Sequence, residues 1–122
     1  MKFEIATKSL QKALSVVSHA TAGITTTPIL ENILIRVNYS NIVFTANNLE
    51  MAIEYVIDKD IKIISEGAVS VPSKLFSSYI GLIQDDQVAL EMNRADSIEI
   101  KTESGKTKIK GIAAEEFPVI PS

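Results

Sequence analysis

Apolar and polar residues alternate in short stretches, give way to a three-to-four-residue spacing, and then alternate again; the chain makes this change of period twice. Residues 2–6 alternate as a short strand. From Lys8 onward, Leu10, Ala13, Leu14 and Val17 form one stripe of an amphipathic helix, and Thr7 is placed to cap it through its hydroxyl. Residues 20–28, with Gly23 and a run of threonines closed by Pro28, read as a loop. Residues 29–37 are rich in β-branched side chains and predict a long strand. Asn38-Tyr39-Ser40-Asn41 is a turn sequence, and residues 42–46 return as a strand. Asn47 and Asn48 interrupt it before a further strand over 51–57, which ends near Asp58-Lys59-Asp60.

The second pass repeats this order. Residues 67–71 predict a strand, Pro72 suits the first turn of a helix, and Leu75, Phe76, Tyr79, Ile80 and Ile83 form its apolar stripe. Residues 88–92, 97–101 and 106–112 predict three short strands, separated by the turns Asn93-Arg94-Ala95-Asp96 and Ser104-Gly105. Two helices cannot cover both faces of so many strands, so both are expected on one face of antiparallel sheets. The fold class is α+β, built from an internally duplicated strand-helix-three-strand unit, with repeats at about residues 1–60 and 61–117 of one domain. Residues 118–122 read as the start of a linker to a following domain.

A chain of 122 residues with 46% hydrophobic and 22% charged residues has enough apolar material for a single core, which excludes a disordered chain. It has no cysteine, which excludes disulfides and thiolate chemistry, and its lone His19 excludes a two-histidine metal cluster. No cofactor or metal is implied. The N-terminus lacks the apolar run of a signal peptide, and no segment approaches the ~18 apolar residues of a membrane span. The expected location is cytoplasmic, with no membrane partner. Asp85-Asp86 and Glu115-Glu116 are adjacent pairs in loops without a basic or metal-binding neighbour at useful spacing, and the glycines are scattered. The pattern is not that of an enzyme.

A net charge of −3 speaks against nucleic-acid binding, but the distribution of charge speaks for it. Neither helical stretch contains a carboxylate. Lys8, Lys12, Ser15 and His19 recur along the polar side of the first helix, and Ser73, Lys74, Ser77 and Ser78 along that of the second. The lysines suit phosphates, and the hydroxyls can hydrogen-bond a backbone without reading bases. Composition alone favours ordinary solvated faces over a polyanion-facing surface. In the last strand Lys106, Lys108 and Lys110 share one face, with Thr107 and Ile109 on the other. That pattern fits an edge guarded against aggregation and equally an edge that docks on an acidic partner.

Several motifs in order carry a family resemblance. Met1-Lys2-Phe3, Thr27-Pro28-Ile29-Leu30-Glu31-Asn32-Ile33-Leu34 and Phe44-Thr45-Ala46-Asn47-Asn48-Leu49-Glu50-Met51 are followed by Val71-Pro72-Ser73-Lys74-Leu75-Phe76, Glu103-Ser104-Gly105-Lys106 and Glu115-Glu116-Phe117-Pro118. Together they resemble the first domain of the bacterial sliding clamp, the DNA polymerase III beta subunit, over essentially the whole chain. The resemblance implies the DNA-clamp fold and a processivity factor: a ring segment that encircles duplex DNA and tethers the replicative polymerase. Lys8, Lys12, Ser15, His19, Lys74, Ser77 and Ser78 would face the DNA, weakly and without regard to sequence. Lys106, Thr107, Lys108, Ile109 and Lys110 would meet the other subunit of a homodimeric ring, with Ile109 as an apolar contact. DNA polymerase and clamp loader would bind through domains beyond this chain. Members of the family often carry a basic residue in the loop after the first helix, where this chain has Ile24 among threonines. The competing reading is a non-enzymatic α+β module that docks proteins through its lysine-rich edge strand and has no DNA role.

Overall fold

The computed structural model describes residues 1–23 and 25–118; Ile24 and positions 119–122, where a linker is expected, lie outside the described residues. The elements run β1 (Lys2–Ala6), α1 (Thr7–Val17), β2 (Asn32–Val37), β3 (Ile42–Asn47), β4 (Ala52–Ile57), β5 (Ile61–Ser65), β6 (Gly67–Pro72), α2 (Ser73–Leu82), β7 (Gln87–Arg94), β8 (Ser97–Thr102), β9 (Gly105–Lys110) and β10 (Ile112–Ala113). The strands form two antiparallel five-stranded sheets, ordered β5-β1-β7-β8-β9 and β10-β6-β2-β3-β4.

The two orders are the same pattern with the repeats exchanged. The meander β2-β3-β4 is completed by β6 of the second repeat, with Ile35 opposite Val69. The meander β7-β8-β9 is completed by β1 of the first, with Phe3 opposite Leu90. Inward positions alternate along the strands, as the pleat requires. Phe3 and Ile5, Ile33 and Ile35, Ile42 and Phe44, Val69 and Val71, and Ile98 and Ile100 are all fully buried in one continuous cluster. Both helices close that cluster from the same side, α1 through Leu10, Ala13, Leu14 and Val17, and α2 through Phe76 and Ile80.

Several local expectations are corrected. Thr7 does not cap α1: Ala6 occupies the cap position without a side-chain hydrogen bond, and Thr7 is a buried residue of the helix itself. Its backbone N–H donates to the Asp86 carbonyl at 2.9 Å, so the preceding strand and a neighbouring loop start the helix. Likewise Pro72 ends β6 and stands just before α2. The stretch 29–31 is not strand, because a short 3-10 turn over Pro28–Glu31 delays β2 to Asn32. Strand β5 was not expected: set between Asp58-Lys59-Asp60 and Glu66, it reads as a connector, yet it pairs with β1 at the sheet edge. Strand β6 opens the second unit as β1 opens the first.

The single strand expected over 106–112 is two strands in different sheets. The break is Gly111, whose N–H donates to the Asp96 carbonyl at 2.6 Å. A Cβ at this position would overlap the carbonyl oxygen of Ser70. Beyond the crossing, β10 is clasped to β6: the buried Ser70 hydroxyl donates to the Ile112 carbonyl at 2.8 Å and accepts from Asn32 Nδ2 at 3.1 Å. Gly111→Val should therefore cost several kcal/mol, roughly 3 or more, because both sheets must part to admit the side chain. Gly105→Ala, with nothing within 4 Å of the added Cβ, should cost under about 1 kcal/mol. Urea unfolding of the two variants measures the difference.

Candidate nucleic-acid interface and docking edge

Helix α1 buries one side and leaves Lys8, Lys12 and Ser15 exposed on the other; His19 follows them, exposed, on a one-turn extension. On α2, Lys74 and Ser78 are exposed, whereas Ser73 is buried. The Ser77 hydroxyl is also buried and has no hydrogen-bond partner among the described residues, which removes Ser77 from the open face. The reason is the packing of the helices on each other. Gln11 Nε2 donates to the Ile80 carbonyl at 2.9 Å. A cleft of about 510 Å³ joins Thr7, Lys8 and Gln11 at the start of α1 to Ile83 and Gln84 at the end of α2. The helices thus run in opposite senses, and Lys74 marks the end of the face away from Lys8.

The helices are free of carboxylates, but their surroundings are not. The Ala6 N–H donates to the Asp60 carbonyl at 3.3 Å and the Thr7 N–H to the Asp86 carbonyl at 2.9 Å, so two acidic turns bracket the start of α1. Asp85 and Asp86 share the cleft with Lys8. Asp58, Lys59 and Asp60 line a second depression with Lys12. Carboxylates on this side complement the positive end of the helix dipole, which the first turn itself leaves without an acidic residue. Periodicity could not reveal this, because the acids come from turns remote in sequence.

Strand β9 is an edge of its sheet. Lys106, Lys108 and Lys110 are exposed, and Lys106 stands directly opposite Lys101. Thr107 points inward, where its hydroxyl donates to Tyr79 Oη at 2.8 Å. Ile109 is only 3% exposed and belongs to the core, so it is not available as an apolar contact for a partner. Exposed apolar side chains are found instead on α2, as well as at Tyr39, Leu49, Met51, Val56 and Ile64 ahead of β6. Leu75 and Leu82 are 57% and 78% exposed, flanking half-buried Tyr79, although Leu75 had counted as part of the inward stripe. The signal was present: α2 carries more apolar positions than one buried side needs.

Beneath the lysines, Glu99 is buried, paired with Lys101 at 3.3 Å and accepting from Asn93 Nδ2 at 3.3 Å. The Asn93 hydrogen bond first, and then Lys101 and Lys106, hold its carboxyl below the ordinary value, against burial, which pushes it up. A depressed carboxyl stabilises the fold above its unfolded pKa and loses that contribution as pH falls through the folded one. Glu99→Gln should therefore lower the melting temperature at neutral pH, and the gap to the parent should close as the pH falls through the carboxylate range. Thermal melts over that range check the sign. Among the described residues no cluster of three or more His, Asp or Glu side chains is placed to hold a metal ion, and no helix is long and apolar enough to cross a membrane.

Comparison with known proteins gives one answer. A sequence model of the family described as DNA polymerase III beta subunit, N-terminal domain, matches residues 1–121. A beta sliding clamp of Synechocystis is 29% identical over 132 residues, which cover 100% of this chain and 33% of that protein. One from Vibrio harveyi is 29% identical over 98% of this chain and 82% of its own sequence. The crystal structure of the DNA polymerase sliding clamp of Bacillus subtilis superposes with a TM-score of 0.96 at 25% identity, covering 100% of this chain and 34% of that one. The chain thus spans about a third of the length of the Synechocystis and Bacillus subtilis relatives.

Proposed function

Because the chain belongs to the DNA polymerase III beta subunit family, as its N-terminal domain, we propose that it is one segment of a processivity ring around duplex DNA. The observation that carries this reading is the pair of packed helices, free of carboxylates, which leave Lys8, Lys12 and Lys74 exposed. Ser15, His19 and Ser78 extend that face. Such groups hold a phosphate backbone without reading its sequence. About three phosphate contacts would give a logarithmic salt slope of only about −3, too shallow for tight binding and suited to sliding. Retention then comes from topology. The segment performs no chemistry; it tethers a polymerase by keeping the ring on the template. In this reading the chain acts in the cytoplasm.

The ring closes through edges. Residues 1–117 form the domain, residues 118–122 lead to a following domain, and two copies of the full-length chain meet head to tail. We assign the subunit contact to β9 together with the exposed side of α2. Lys106, Lys108 and Lys110 face acidic groups of the partner, and Leu75, Tyr79 and Leu82 supply the apolar part that Ile109 cannot. Glu99, paired with Lys101 and opposite Lys108, is the one carboxylate among the four lysines of β8 and β9, so the surplus positive charge suits a surface whose further counter-charge arrives with a partner. Such a contact joins different surfaces and makes a ring only where its rotation closes. Polymerase and clamp loader engage domains beyond this chain. The same lysine-rich edge favours the second reading, a protein-docking module without a DNA role.

The deciding experiment loads the full-length chain onto nicked circular DNA and then linearises the circle. Retention on the circle and loss on linearisation is the expected result; equal retention on both forms means affinity binding, and no retention with a competent loader favours the docking module. Reversal of Lys8, Lys12 and Lys74 to Glu should abolish the salt-sensitive part of the DNA contact, while Ser77→Ala leaves it unchanged. Leu75→Asp with Leu82→Asp should dissociate the ring to monomers, read by sedimentation, with the melting temperature of the domain little altered because both side chains are exposed.

A further inference from the structure

The two acidic turns at the start of α1 bear on how strongly the proposed face holds DNA. Lys8 shares its cleft with Asp85 and Asp86, and Lys12 its depression with Asp58 and Asp60, leaving Lys59 as the one further cation of these turns. The turns are fixed there by the Asp60 and Asp86 carbonyls, which accept from Ala6 and Thr7 at 3.3 and 2.9 Å. Among the described residues the ion pairs are Lys2–Glu91 and Lys101–Glu99, so no carboxylate is locked to Lys8 or Lys12; Asp85 Oδ2 accepts from the Glu103 N–H at 3.0 Å and is the most tethered of the four. Exposed charges lining one cleft act on each other over the ~10 Å screening length of ~0.1 M salt.

We propose that Asp58, Asp60, Asp85 and Asp86 set the strength of the DNA contact, by competing with backbone phosphates for Lys8 and Lys12. This rests on the ring reading above. A phosphate nearing this end of the face meets two lysines inside a frame of carboxylates, so attraction to each ammonium is offset by repulsion from its neighbours. The lysines stay mobile, the contact is brief and passes through water, and the duplex can advance. Neutralising the frame should turn a sliding surface into a holding one.

The test uses the full-length chain with Asp58, Asp60, Asp85 and Asp86 all changed to Asn, and with each pair changed alone. Topological retention on intact circles should persist. Diffusion along DNA, followed on single molecules, should slow by roughly 3- to 10-fold, and binding at low salt should tighten with a steeper salt slope. Glu115→Gln with Glu116→Gln makes a two-unit charge change away from the helices and should leave both readouts unchanged. Unaltered diffusion and salt slope in variants with parental melting curves would overturn the proposal. So would an equal response to the Glu115 and Glu116 changes, which would make it an effect of net charge. If the quadruple variant does not fold, each pair read alone decides. Loss of the parent chain from intact circles would remove the ring reading itself, and this proposal with it.

Discussion

The exchange of first strands between the repeats is the constraint on which the rest of the structure depends. Strand β1 completes the sheet of the second repeat and β6 that of the first, so each repeat buries its opening strand against the other. Phe3 and Ile5 would face water in an isolated first unit, and so would Val69 and Val71 in an isolated second one. The doubled unit is thus one cooperative body with one core. Because each helix follows an exchanged strand directly, the exchange also brings α1 and α2 together on one side. A face made of both helices exists only because the strands are crossed.

In the proposed ring, that arrangement lets an acidic chain offer a surface to a polyanion. Helix interiors can be kept free of carboxylates residue by residue, and both helices are. The turns that the fold brings beside them cannot be judged from the helices alone. Asp60 and Asp86 approach the start of α1 because β5 and β7 lie on either side of β1, each with one end beside the first residue of that helix. The carboxylates serve the helix dipole there and moderate the charge of Lys8 and Lys12 at the same time.

The sheet edges follow a similar logic. The rear of β9 is fully engaged, with Ile109 in the core and Thr107 tied to Tyr79, so only lysines and backbone remain for a neighbour. In the proposed subunit contact the apolar part comes from the adjoining helix, where Leu75 and Leu82 flank the tyrosine that makes the tie. Gly111 sets the limit of this edge by sending the chain into the other sheet before β9 can lengthen.

The sequence by itself determined the period of each main element, the twofold repetition, the α+β class and the polar faces of both helices, because these depend on neighbours a few residues apart. Its motifs also carried the family. Tertiary structure alone decided which sheet each strand joins, since β5 is too exposed and too closely framed by charge to stand out, and the break at Gly111 is set by the Ser70 carbonyl of another strand. It decided as well that Ile109 and Ser77 face inward while Leu75 faces out, because two helices packed together bury a different arc from one helix on a sheet. Local spacing fixes what a segment can bury; only the assembled fold fixes what it does bury, because the covering surface comes from residues far away in the chain.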